Sequence, residues 1–366
     1  MSRDARSTTR KRLVRGLVAG AGAALAAGWA AQHRAVARTR ASGDDIAAEG
    51  LTMPEGLVHH DVDVDDGGRI HVVECGEGPP IVLLHGFMLS SALWAHQLRD
   101  LSAGHRVIAV DLRGHGRSVP GTSGFSPAGV PEGLRPGALA ADVRMSAARQ
   151  GSPGVRRLAR DVRAVLAALE VEHAVVVGHS MGGMVALQLT QDMAPDELHR
   201  RVRGMVLVST TGGPFSRLPG YEGMVRVSGP VSSRALSLAD RVGLRTVASE
   251  DVRWWLTRLG FGADAPAAQV RFVEGLHMST PPATLAGLVP SLAVFDLSRS
   301  LGSVDLPVLV VVGTHDRLTP PRHARRTADA LPRAELVELP RCGHMPMIER
   351  RREFSRLLDE FTAKIR

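Results

Sequence analysis

Apolar residues fall along this chain in two distinct rhythms, and the alternation between them predicts its architecture. Short apolar runs, Ile81-Val-Leu-Leu84, Val107-Ile-Ala-Val110, Ala174-Val-Val-Val177 and Leu306 to Val312, read as strands buried on both faces, and Val202 to Val208, interrupted by Arg203, as another strand. Between them the apolar positions space themselves for helices. Ser90 to Leu101 is one, and Val155, Leu158, Val162, Val165, Leu166 and Leu169 mark one face of another. Further segments read as helices at Pro321 to Ala330 and Met347 to Ile365, either side of a strand at Ala334–Leu339. Strand alternating with helix predicts a parallel sheet wrapped by helices on both faces.

Three stretches break the rhythm. Val58, His60, Val62 and Val64 alternate before Asp65-Asp-Gly-Gly68, with Ile70 and Val72 beyond, which predicts a β-hairpin. In residues 119–154, twelve of 36 positions are Gly or Pro, so this is an insertion, with one short helix expected over Gly137–Gln150. From 211 to 300 no strand appears. Helical fragments at Ala235–Val242, Asp251–Leu259 and Ala267–Met278 predict a helical cap inserted after the sixth strand. The expected organisation is a basic tail over 1–45, a first core part over 57–210, the cap over 211–300 and a second core part over 301–366.

Charge changes this picture only at the N-terminus. The net charge is +8, from 45 basic and 37 acidic residues; nine and one of these fall in residues 1–40, leaving 36 of each in the remainder. The body therefore has no net pull on phosphates, and no nucleic-acid partner is expected. Gly16 to His33 carries no formal charge. As a helix it would span about 27 Å, near the thickness of a bilayer core. An uncleaved membrane anchor, a cleaved export signal and a soluble extension all fit the run. The flanking basic residues favour a membrane tether through residues 16–33 and a membrane or cell-envelope location, with the cytoplasm as the alternative. Cys75 and Cys342 are too few for a disulfide framework, and whether they pair stays open. No His or carboxylate cluster has metal-binding spacing, so neither metal nor cofactor is expected.

The candidate chemistry sits where strands end, because working groups in a parallel sheet gather at carboxyl ends. Gly178-His-Ser-Met-Gly182 is a G-x-S-x-G pentapeptide between a predicted strand and a predicted helix. Such a turn lifts the Ser180 hydroxyl above the sheet, and the helix start aims free N–H groups at any oxyanion formed there. A serine hydroxyl needs an adjacent base. His344, after the Ala334–Leu339 strand, can take its proton, and Asp316, after Val308 to Val312, can hold the other imidazole nitrogen. Thr210 and Thr211, after the sixth strand, offer no substitute carboxylate. His85, His179 and Asp111 read as structural groups, His277 as an exposed cap residue. Trp254 and Trp255 are candidate substrate-binding residues, although cap packing explains them equally.

Five motifs in order, His85-Gly-Phe87, Asp111 to Ser118, Gly178 to Gly183, Gly313-Thr-His-Asp316 to Pro320 and Cys342-Gly-His344, make residues 57–365 resemble the α/β-hydrolase superfamily. The resemblance is to its serine esterase and lipase-like members with an HG oxyanion loop. It implies a mostly parallel eight-stranded α/β sheet with a helical cap after the sixth strand. It also implies Ser180 as nucleophile, Asp316 as acid, His344 as base, and an oxyanion hole of the Phe87 and Met181 N–H groups. The expected reaction is hydrolysis of a small-molecule carboxylic ester through an acyl-enzyme, with lipophilic esters or monoacylglycerols favoured. Cofactor-free haloperoxidase, perhydrolase or C–C bond hydrolase chemistry on the same triad is the alternative; a hydrolase-like ligand-binding receptor is the non-enzymatic one. The 119–154 insertion is longer than the usual link there.

Overall fold

The computed structural model describes residues 50–125, 153–214 and 250–365. The expected tail, its 16–33 run, and the expected helices at Gly137–Gln150 and Ala235–Val242 lie outside these residues. Among the described residues no helix is long and apolar enough to cross a membrane.

Strands β1 (Val58–Asp63), β2 (Arg69–Cys75), β3 (Pro80–Leu84), β4 (Arg106–Val110), β5 (Ala174–His179), β6 (Val202–Val208), β7 (Val308–Gly313) and β8 (Ala334–Leu339) form one sheet in the order 1-2-4-3-5-6-7-8. β2 pairs antiparallel with both β1 and β4, and every other pairing is parallel. The unbroken apolar runs are buried on both faces because alternate residues feed two different cores. Val82, Leu84, Ile108, Val110, Val176, Leu207 and Val310 face one side; Ile81, Leu83, Val107, Ala109, Val175, Val177, Val206 and Val311 face the other. Each fully buried aliphatic side chain contributes about 1.5–3 kcal/mol.

Helix α1 (Ala95–Leu101) covers the second face, with Trp94 stacked on Phe354 at 6.3 Å. Helices α2 (Pro153–Ala168) and α3 (Met181–Asp192) cover the first, α2 presenting the predicted Val155, Leu158, Val162, Val165 and Leu166. α4 (Pro195–Arg201) leads into β6. Between β6 and β7 lie α5 (Glu250–Arg258), α6 (Ala267–Ser279) and α7 (Pro282–Ala293). The last of these breaks the expectation of three fragments ending near residue 278. Pro281-Pro282 and Pro290 hide it from any periodic reading, yet Pro282 sits in its first turn, where no N–H is needed. After β7 come α8 (Pro321–Ala330), the four-residue α9 (Pro346–Glu349) and α10 (Arg351–Lys364).

The predicted hairpin forms, with β1 antiparallel to β2. β1 is an edge strand, so of its alternating apolar residues Val62 is buried while Val58 stays 54% exposed. The 119–154 insertion is not uniform. Val119 exchanges backbone hydrogen bonds with Arg69 at 2.8 and 2.9 Å, and Thr122 N–H donates to the Asp66 carbonyl. The chain is helical again from Pro153, and residues 126–152 lie outside the description. Asp66, read only as a turn residue, also accepts from the fully buried Arg113, which Asp161 holds on its other side at 2.7 Å. Cys75 and Cys342 are not paired.

Candidate active site

Ser180 ends β5 with φ 51° and ψ −115°, a region that non-glycine residues seldom occupy and that costs on the order of 1–3 kcal/mol. The strain is held in place on both sides of the residue. Its N–H donates to the Val208 carbonyl at 2.9 Å, and the Thr210 hydroxyl donates to its carbonyl at 2.6 Å. Small residues make the turn feasible. A Cβ on Gly178 would sit 2.4 Å from the Gly182 carbonyl, and one on Gly182 would sit 2.2 Å from that of Leu84.

Asp316 follows β7 and His344 follows β8, and the sheet brings them together. His344 Nδ1 lies 2.9 Å from Asp316 Oδ2, with both side chains buried. Oδ1 accepts the N–H groups of Leu318 (2.9 Å) and Thr319 (2.8 Å), while the Thr319 hydroxyl donates to Oδ2 at 2.8 Å. Burial works to raise the Asp316 pKa, but the adjacent His344 and these donors outweigh it and hold the carboxyl below its usual range. Sequence reading missed Thr319; the only signal was the run of turn residues after Asp316. The neighbour of the serine meets the histidine directly. The His179 ring lies 4.7 Å from that of His344, and its Nε2–H donates to the His344 carbonyl at 2.9 Å. Among the described residues the Ser180 hydroxyl makes no hydrogen bond, so contact between Ser180 and the imidazole is not closed here.

Comparison with known proteins fits this arrangement. The model of the alpha/beta hydrolase fold family matches residues 79–351, a span holding the elbow, the carboxylate and the histidine. The chain belongs to the alpha/beta hydrolase family. Among its relatives, the AB hydrolase superfamily protein YisY of Bacillus subtilis is 25% identical over 83% of this chain and 98% of its own length. The pimeloyl-[acyl-carrier protein] methyl ester esterase of Nitrosomonas europaea is 28% identical over 79% of this chain and 98% of its own. The solved structure of Est816, an N-acyl homoserine lactone degrading enzyme, superposes with a TM-score of 0.60 at 27% identity, covering 82% of this chain and all of that one. This chain is thus an enzyme, a hydrolase.

In this hydrolase β3 and β5 are neighbours, with Leu84 in register with Gly178, although β4 lies between them in sequence. That is a topological switch point, where α/β sheets open a crevice. Phe87 follows β3 and Met181 opens α3 after Ser180, and among the described residues neither N–H has a backbone acceptor. The Phe87 loop is braced from below. His85 Nε2 accepts the Leu112 N–H at 2.9 Å, so its Nδ1 carries the proton donated to the Gly86 carbonyl. His115 Nε2 accepts the Met88 N–H at 3.2 Å. Burial lowers the pKa of both imidazoles, that of His115 to about 3, so they brace this loop as neutral rings.

Trp254 and Trp255 are not brought together at the site. Trp254 is buried with Phe261, Val270 and Val273, while Trp255 is 42% exposed, as adjacent residues on one helix must diverge. His277 is not the exposed residue expected. It is half-buried, its Nδ1 lies 3.2 Å from the buried Thr257 hydroxyl, and burial followed by the nearby His344 lowers its pKa to about 4. Among the described residues no group of three or more His, Cys, Asp or Glu could hold a metal ion.

Proposed function

We propose that this hydrolase cleaves carboxylic esters, with Ser180 as nucleophile, His344 as general base and acid, and Asp316 as the group that orients and stabilises the imidazolium. The observation that carries this reading is the strained Ser180 backbone one residue from a ring packed on an Asp-bonded histidine. Ser180 Oγ attacks the ester carbonyl while His344 Nε2 takes its proton, and the tetrahedral oxyanion lodges against the Phe87 and Met181 N–H groups. Collapse expels the alcohol, which receives the proton from His344. Water then attacks the acyl-enzyme by the same route, releasing the acid. Losing one oxyanion donor costs on the order of 3 kcal/mol in the barrier.

Relatives named for a methyl ester and for an acylated lactone support ester chemistry, and the rim supports a lipophilic substrate. Leu259, the residue before Gly260, and Leu318 stand 41% and 43% exposed, and a Cβ on Gly260 would lie 3.6 Å from Leu318 Cδ1 and 4.0 Å from His344 Cβ. The test is covalent labelling of the full chain by a fluorophosphonate, followed by a p-nitrophenyl ester series of rising acyl length. Wild type should label and prefer medium or long chains, and Ser180→Ala should neither label nor turn over, a loss of about 10³-fold or more. Ester turnover by Ser180→Ala at near wild-type rate would remove Ser180 from the mechanism; a wild type that never labels would favour a ligand-binding role.

A further inference from the structure

We infer that Glu349 is a positioning residue that ties the seating of the cap to the orientation of His344. Its carboxylate reaches two segments at once. Oε1 accepts the N–H groups of Gly343 at 2.9 Å and Met345 at 3.2 Å, the residues on either side of His344. Oε2 accepts the N–H of Gly262, in the cap loop between α5 and α6, at 2.7 Å. The remaining amide of the trio, that of His344 itself, donates to the carbonyl of Gly260 in the same cap loop at 2.7 Å. Three consecutive residues around the imidazole are therefore held by that loop, or by the carboxylate that also holds it.

The two segments touch through their backbones. A Cβ on Gly343 would meet Gly262 N at 2.4 Å and Phe261 Cα at 2.6 Å, and one on Gly262 would meet the Arg341 carbonyl at 2.3 Å. Arg258 completes the fixture from the opposite pole, donating to the carbonyls of Gly262 at 2.6 Å and Phe261 at 3.3 Å. Burial raises the Glu349 pKa against the pull of its three amide donors and of Arg258, as expected where a carboxylate is kept in a costly place by the bonds it makes. An anchor that merely ended α9 would need only the bonds within residues 343–349. The bond to Gly262 reaches into the cap, which also carries His277 and, of the apolar rim, Leu259. A cap that shifts with substrate then shifts the base, and a displacement of about 1 Å at a reacting group can cost 10²-fold in rate.

The inference rests on the reading of Ser180 and His344 above, and one set of variants separates the two. Glu349→Gln keeps the size of the side chain but leaves one acceptor oxygen, which can serve Gly262 or the pair around His344 but not both. Its kcat on p-nitrophenyl butyrate and its fluorophosphonate labelling rate should fall by about tenfold or more, with KM within about threefold of wild type. The low-field proton resonance of the His344–Asp316 hydrogen bond should move as well. Asp264→Ala serves as the control. It breaks the exposed Asp264–Arg341 ion pair between the same two segments and should change kcat by less than about twofold. A folded Glu349→Gln that melts earlier but labels and turns over at the wild-type rate would overturn the positioning role alone. A wild type that does not label overturns the Ser180 reading, and this inference with it.

Discussion

Among the described residues this molecule holds two buried Asp–His pairs of almost the same geometry. His71 Nδ1 lies 2.8 Å from Asp111 Oδ2, and His344 Nδ1 lies 2.9 Å from Asp316 Oδ2. Each carboxylate also accepts backbone N–H groups, Ser91 and Arg117 at Asp111, Leu318 and Thr319 at Asp316. Both carboxyls titrate low despite burial: Asp111, bonded to His71, at about 2, and Asp316, beside His344, below its usual value. What separates the pairs is the second imidazole nitrogen. His71 Nε2 is closed by His59 Nδ1 at 3.0 Å, while among the described residues His344 Nε2 has no partner and its ring packs against the residue before Ser180. A carboxylate and an imidazole make a brace wherever both nitrogens are used. In the proposed mechanism the free nitrogen of His344 is the one assigned to Ser180.

The largest effect should come from removing the same oxygen at both pairs. Asp316→Asn should lower kcat on a p-nitrophenyl ester by about 10³–10⁴-fold with the fold intact, because an amide cannot stabilise imidazolium and selects the wrong tautomer. Asp111→Asn should do the reverse. Its amide NH₂ would face a backbone donor, so stability should drop by about 2–4 kcal/mol in denaturant melts. Activity per folded molecule should stay within about tenfold of wild type. Equal losses of kcat in the two variants would dissolve the distinction between brace and base.

The sequence carried one half of this comparison more clearly than the other. Strands β3 to β7 were legible because residues buried on both faces must be continuously apolar, and their carboxyl ends carried Ser180, Asp316 and His344 within recognisable motifs. Asp111 was legible as a tether. Its partner was not, because His71 lies in an alternating strand where a histidine reads as surface. The bond of Glu349 to Gly262 and the Asp66–Arg113–Asp161 group were hidden for a related reason. Each bond spans segments that only the finished fold makes neighbours, so no local spacing encodes it. Helix α7 was lost to its prolines, and His277 looked exposed because a helical fragment taken alone does not reveal the Thr257 packed beside it.

Acid should expose the braces before the carboxylates. Burial lowers the pKa of His85, and it brings those of His96 and His277 to about 4 and that of His115 to about 3. In the unfolded chain these rings take up protons near the ordinary 6.5, so between that value and the folded one the unfolded state binds more protons. Their contribution is therefore complete above about pH 6.5 and is lost as pH falls from there through the folded values, most steeply for the fully buried His85 and His115 and less for His96 and His277. Asp111 and Asp316 add the same sign lower down, their stabilisation lost only as pH falls through values below the usual carboxylate range. Glu349, with its raised pKa, opposes this as a single group. Melting temperature should thus decline steadily from pH 7 to pH 4 and steepen below it. A flat profile over pH 7 to 4 would mean that these imidazoles are not held neutral by the fold.

The smallest expected effect tests whether an open nitrogen is sufficient. His59 is exposed, stacks on His71 at 5.2 Å, and shares its Nδ1 with Arg117 at 3.2 Å. His59→Ala should cost less than about 1 kcal/mol, since a surface ring leaves and water can satisfy His71 Nε2. The Asp111–His71 pair then acquires the feature that marks His344, an imidazole nitrogen without a protein partner. It still lacks a nucleophile, because the peptide that follows β4 offers no strained serine at an elbow; Ser118 already donates to the Asp111 carbonyl and accepts the His71 N–H. Ester turnover in His59→Ala should therefore match wild type, and Ser180→Ala combined with His59→Ala should remain as inactive as Ser180→Ala alone. Turnover appearing in the double variant would show that an opened imidazole can act without the elbow, and that the strained backbone of Ser180 is not what sets the two pairs apart.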